Sequence, residues 1–251
     1  MSVLIVMGLA AYSWRKRKAV ANSDEFVQLL ALVFVKSPPT VARDEREWAG
    51  QSASVKQRDW RFRDAIRTSQ YWVISLSMTA TLLCVLTTST FAPAHMVALG
   101  VPAAVAAGVL STNGAVGALS RYLGGALATR IDPKWLLVAG LLGEGIGMAA
   151  LSVAGNPLAL GIFAVSEGFG FGMCLLATTV LLVDYFGPSE NPEIYGTFNL
   201  ITTLAMVGPY VGGLMKDLFG GFGGVFQGCA VLMLLIVAMA AAMRPPKPRL
   251  S

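Results

Sequence analysis

Four polar side chains stand inside long apolar runs, and their chemistry is where the reading starts. Asn113 and Arg121 share the run 103–128, Glu144 lies in 135–154, and Glu167 in 158–183. A guanidinium near the centre of a bilayer costs roughly 2.5–3.5 kcal/mol on insertion scales, so it is kept where it has a task or a partner. Its planar fork matches a carboxylate with two parallel hydrogen bonds. Arg121 and Asn113 are therefore the candidate ligands of an anion. Burial works against the charged form of a carboxyl, so Glu167 and Glu144 are candidates for taking up a proton. The competing reading makes Arg121 an anchor that reaches the interface, and each glutamate a structural carboxyl at a helix contact. Gly114, Gly117, Gly124 and Gly125 are spaced to share the helical face of Arg121, which predicts a thin face there.

These residues need helices to position them, and the composition provides for helices in lipid. Of the 251 residues, 55% are hydrophobic and 13% charged, against about 25% charged in an ordinary soluble domain. From Thr68 to Ser120 no residue carries a formal charge. At 1.5 Å per residue that run exceeds one crossing of a roughly 30 Å hydrocarbon layer. Pro93, His95, Gly100 and Pro102 are expected to break it. Gly155-Asn156-Pro157 and the glycines of 220–224 mark further turns. The fold class is an all-α membrane protein with six spans, at about 71–92, 103–128, 135–154, 158–183, 194–215 and 222–243. Asp184–Glu193 reads as a polar loop. Gly208-Pro209-Tyr210-Val211-Gly212 places a proline inside the fifth span, a packing and bending element. Asn199, Thr202 and Thr203 are expected to bond their own helix or a neighbour.

Residues 1–13 are apolar but too short to cross, and Arg15-Lys16-Arg17-Lys18 follows them. A secretory signal carries its positive charge in front. The segment reads as the remnant of a preceding transmembrane helix. Residues 14–70 read as a cytoplasmic loop, with 59–67 either an amphipathic surface helix or a solvated linker. The six-helix domain is 71–243 and 244–251 a cytoplasmic tail. With 14–70 inside, Arg130, Lys134 and the basic tail fall inside too, and Lys216 alone falls outside.

Other chemistries find no support. Cys84, Cys174 and Cys229 are far apart, there is one histidine, and neither a metal site nor a disulfide framework is indicated. Walker, HExxH and GxSxG motifs are absent from the sequence. No enzyme, cofactor or nucleic-acid partner is expected; the expected partner is the lipid bilayer.

The segment Ser120–Lys134, with Arg121, Gly125, Leu127, Ala128 and Arg130 in step, resembles the loop signature of the major facilitator superfamily. Thr129 and Asp132 depart from it. Asp184-Tyr185-Phe186-Gly187, Tyr195-Gly196, Gly208-Pro209, Gly212 and Asp217 resemble the tenth and eleventh helices of its monocarboxylate porter and oxalate/formate antiporter branch, as does the lead-in Trp60–Trp72. The resemblance implies half of a major facilitator fold and transport of small organic anions, with a proton as a second cargo. It sets Arg121 on the substrate and gives Gly125, Arg130, Gly208, Pro209 and Gly212 packing and gating roles. It also implies a plasma-membrane location and a partner, either an N-terminal half-transporter or a second copy. Some members carry an acidic residue one turn before the arginine, where this chain has Gly117. The alternative is a membrane interaction or regulatory remnant that transports nothing.

Overall fold

The computed structural model describes residues 60, 62–187 and 192–245. The expected helix remnant over 1–13, the loop up to residue 59 and the tail from 246 lie outside the described residues. Among the described residues the chain is helical, without strands, and has six helical segments long and apolar enough to cross a membrane.

A single helical turn, Phe62–Ala65, precedes α1 (Ser69–Ala98), α2 (Ala103–Leu127), α3 (Pro133–Ser152) and α4 (Pro157–Phe186). The fifth crossing is broken into α5 (Pro192–Thr203), a 3-10 turn at Leu204–Val207, and α6 (Gly208–Phe219). The sixth is α7 (Phe222–Ala242). The starts are local chemistry. Asp132 and Asn156 cap α3 and α4 by accepting from Lys134 N and Leu158 N, each at 2.9 Å, and each helix opens with proline. Gly187 and Gly220 end α4 and α6 at φ +95° and +71°, a backbone region that glycine enters without penalty.

Three boundaries differ from the expected ones. Pro93 and His95 do not break the first run. α1 continues to Ala98, and the chain turns at Leu99–Pro102 with Gly100 at φ +85°. In the two turns before Pro93, the hydroxyls of Thr87, Ser89 and Thr90 bond back to the carbonyls of Leu83, Val85 and Leu86. The polar loop after α4 starts later than expected, because Asp184 sits in the last helical turn. The fifth span is not one bent helix. Pro209 lacks the N–H that would bond the carbonyl of Ala205, and Gly208 N takes that carbonyl instead in the tighter turn.

Among the described residues of the lead-in, the turn Phe62–Ala65 is helical; Trp60 and Ala65 are buried, and Arg63, Asp64 and Arg67 are exposed. The Trp60 ring meets Phe186 edge-on at 5.5 Å, and Tyr71 meets the same ring at 5.7 Å. Trp72 Nε1 donates to the carbonyl of Ile66 at 2.8 Å. Apolar side chains with a ready pocket bury there in preference to water.

α4 is the hub, packed on α3, α2 and α1, while α7 packs on α3 and α1. α2 and α4 run parallel: Gly117 faces Gly168, Ser120 faces Gly172, and Gly124 faces Met173 and Leu176. α3 and α4 run antiparallel: Gly140 faces Cys174 and Gly147 faces Glu167. Small residues on both faces of α4 let three backbones approach closely. The start of α1 and the end of α7 lie at one end, where Gln70 Nε2 donates to the carbonyl of Arg244 at 2.8 Å.

Candidate functional site

The four polar residues sit on three adjacent helices, but not as one cluster. Arg121 is exposed on α2, with its guanidinium 4.8 Å above the ring of Phe171 on α4. A cation over an aromatic face gains modest attraction and keeps its fork free. No carboxylate pairs with it among the described residues. The glycine face expected around it is split. At about 3.6 residues per turn, Gly117 and Gly124 fall to one side, where they are buried against α4. Gly114 and Gly125 fall to the other, with open space around them.

Asn113 and Glu167 are brought together. The Asn113 amide donates to Glu167 Oε2, and it also lies 3.4 Å from the carbonyl of Ala164. The residue expected to meet an anion is thus engaged with the residue expected to carry a proton. Asn113 is half-buried and Glu167 buried.

Glu144 lies one layer deeper. It is 0% exposed, and both carboxyl oxygens are without a hydrogen-bond partner. The Thr81 hydroxyl and the Cys174 thiol face it, and neither meets it with bonding geometry. Glu167 is near enough for the two charges to interact. Such a carboxyl is at odds with its surroundings unless something is bound to it. Thr81 and Cys174 were not singled out as partners from the sequence. Their only signal is a polar or sulfur atom within an apolar run, which many spans carry without consequence. No group of three or more metal-ligating side chains occurs among the described residues.

The remaining singled-out residues lie elsewhere. Arg130 is exposed at the α2–α3 turn, in the same end region as Asp132 and Lys134, and Gly125 faces open space. Gly208 and Gly212 press on α1. A methyl on Gly208 would sit 2.9 Å from the carbonyl of Leu83, and one on Gly212 would sit 2.9 Å from the ring of Phe91. Pro209, between them, is half-buried.

Comparison with known proteins agrees with this architecture. Two curated relatives carry the name proton-coupled antiporter flippase LtaA. The one from Staphylococcus haemolyticus is 30% identical over 34% of this chain and 22% of its own length. The one from Staphylococcus saprophyticus is 26% identical over 41% of this chain and 26% of its own length. The matched region therefore spans about a quarter of each relative. Residues 99–251, which contain five of the six crossings, match the description of the Major Facilitator Superfamily. With six apolar crossings and that match over more than half its length, the chain is a multi-pass integral membrane protein and belongs to the Major Facilitator Superfamily.

Proposed function

We propose that the chain is the C-terminal half of a secondary carrier that moves small organic anions of the monocarboxylate kind, with protons as the coupling ion. The observation that carries this reading is Arg121. It is a guanidinium inside an apolar crossing, exposed on α2, with no carboxylate among the described residues to neutralise it. A carboxylate that leaves water must replace its hydration, and a charge-assisted bidentate pair does so. The buried carboxyls of Glu167 and Glu144 supply groups that can bind a proton, and proton coupling is in the names of both relatives. The full carrier rocks two halves about a site at the midplane. The missing wall comes from an N-terminal half or a second copy. The cell membrane is the proposed location, with the C-terminus in the cytoplasm, as the placement of lysine and arginine favours.

A second reading takes the relatives' other word, flippase. Leu119 (57% exposed) and Tyr122 (79% exposed) flank Arg121. An acyl chain could lie on that apolar surface while Arg121 holds an anionic headgroup.

The test uses cells whose gene is deleted and then restored as wild type, Arg121→Lys or Arg121→Ala. Uptake of labelled lactate, pyruvate, formate and oxalate is measured, normalised to protein in the membrane, beside transbilayer movement of a fluorescent anionic lipid. The wild type should carry one of the acids, Arg121→Lys should carry it poorly, and Arg121→Ala not at all. Both variants should still insert, since removing or retaining this charge does not raise the insertion cost. Equal uptake by wild type and Arg121→Ala would reduce the arginine to an anchor. Lipid movement without acid uptake would favour the flippase reading.

A further inference from the structure

Glu144 and Glu167 meet where α3 crosses α4, and the crossing is reciprocal. The backbone and Cγ of Glu144 lie against Gly170, and the backbone and Cβ of Glu167 lie against Gly147. Neither glycine has room for a methyl, so each carboxyl-bearing turn is seated on a glycine of the other helix. The surroundings of Glu144 are Thr81 and Cys84 from α1 and Cys174 from α4, with Cys229 of α7 beyond Cys84. Thr81 Oγ1 is itself 0% exposed and unpaired, like both oxygens of Glu144. Glu167 faces Asn113 of α2. Among the described residues no cation faces either carboxyl. Arg121 lies over Phe171, one turn along α4 from Glu167, and His95 is bonded to the carbonyl of Leu151 at 3.0 Å.

A sealed carboxylate without a cation is costly, and a second one beside it adds repulsion. A proton removes both costs, and the idle Thr81 hydroxyl can accept a hydrogen bond from a protonated Glu144. We infer that Glu144 and Glu167 form one buried proton-binding site, and that Asn113 reports its occupancy to the helix that carries Arg121. The inference rests on the proton-coupled reading above and names the site, its loading side and its link to the anion.

The link follows from hydrogen-bond chemistry. As a carboxylate oxygen, Glu167 Oε2 accepts from the Asn113 amide. A proton on Oε2 makes that oxygen a donor, and Asn113 then turns its carbonyl inward or lets go; a proton on Oε1 leaves Oε2 an acceptor and the bond in place, so this coupling requires the proton on Oε2. α2 packs chiefly on α4, along a seam of small residues. A changed rung in that seam therefore moves the helix on which Arg121 sits. Loading begins on the same side. Ser111, Thr112 and Gly114 are exposed beside half-buried Asn113, whereas Glu144 lies behind Glu167, away from that face.

The test needs no substrate. The full chain is purified into lipid discs, and the carbonyl band of protonated carboxyls is followed by infrared spectroscopy as pH is lowered. In parallel, a fluorophore on Thr112→Cys reports on α2; the native Cys84, Cys174 and Cys229 are buried and do not compete for the label. In the wild type the carboxyl band should grow and the fluorescence should change with the same midpoint. Glu167→Gln and Glu144→Gln should each remove or displace the band and shift the fluorescence midpoint. Asn113→Ala should keep the band and lose the fluorescence response. Because the exposed carboxyls also titrate, the informative signal is the component missing from Glu144→Gln and Glu167→Gln, and a wild type in which no such component titrates would overturn the inference. So would a band indifferent to both glutamine variants, or fluorescence that still follows pH in Asn113→Ala. Because uptake is not the readout, either result can arise with transport intact, and the two proposals fail separately.

Discussion

Tyr71 shows how much one side chain holds at the end where the chain enters and leaves the bundle. Its hydroxyl donates to the carbonyl of Ile194 at 3.0 Å, and its fully buried ring stands edge-on to Phe186 and Trp72. Tyr71→Phe keeps the ring and loses the bond, so it should cost about 1 kcal/mol. Tyr71→Ala also leaves a cavity and should cost about 3–5 kcal/mol. Thermal unfolding in detergent, read by intrinsic fluorescence, should rank wild type above Phe above Ala; equal melting of Phe and Ala would contradict this. At this scale the sequence was informative where a residue's type alone conflicts with its setting. Arg121, Glu144 and Glu167 stand out because charge inside an apolar run is costly. The pairing of Asn113 with Glu167 was not legible, nor was the approach of Thr81 and Cys174 to Glu144. Both depend on the register between helices, and helical periodicity gives a face without saying which neighbour covers it.

At the scale of the elements, α4 is defined by what it lacks. A methyl on Gly172 would collide with Ser120 Oγ and with the carbonyl of Gly117, while one on Gly161 of the same helix meets nothing within 4 Å. Gly172→Val should therefore force α2 off α4 and cost about 1–3 kcal/mol or more, whereas Gly161→Val should be tolerated. The readout is the melting temperature of each variant in the same detergent, and a Gly172→Val protein as stable as Gly161→Val would show that the seam is not tight. The six crossings were visible as apolar runs between turn signals, because length and polarity decide them. The ends were less visible. α1 runs on through Pro93 to Ala98, while at Pro209 the backbone tightens into a 3-10 turn. The residue type is the same, and the local bonding differs. In the lead-in, Arg63, Asp64 and Arg67 are exposed as their charge suggests, while the place of Trp60 and Ala65 against the bundle depends on a neighbour that the local sequence does not name.

Across the whole molecule, the parallel run of α2 with α4 and the antiparallel run of α3 with α4 are what alternating crossings require. The Gln70–Arg244 bond puts entry and exit at one end. A tag inserted after Gly220 should then be reached from outside intact cells, and a reporter fused after Ser251 should be reached only after permeabilisation. The reverse pattern would invert the orientation proposed from the basic residues. The outer surface carries a second expectation. Leu200, Leu204, Met206, Tyr210 and Leu218 on the fifth crossing are 63–81% exposed, and α2 is exposed along most of its length. Purified alone, the chain should be dimeric or melt at low temperature, as judged by light scattering and unfolding in detergent. A robust monomer would argue that these faces need only lipid. The six crossings were legible from spacing and hydropathy and the half-fold from the family resemblance of Ser120–Lys134, while what covers those faces is set by contacts that one chain does not contain.

The broken fifth crossing also has a mechanical consequence. α5 is tied at its first turn, through Tyr71 to Ile194 and Tyr195 to Gly187, while α6 is seated on α1 through Gly208 and Gly212. Between them lie the four residues Leu204–Val207. Where an unbroken helix acts as a beam and carries a tilt along its whole length, this one is a jointed rod. A 3-10 stretch inside a helix is a common hinge, so bending of the fifth crossing is expected at Leu204–Val207 rather than within α5 or α6.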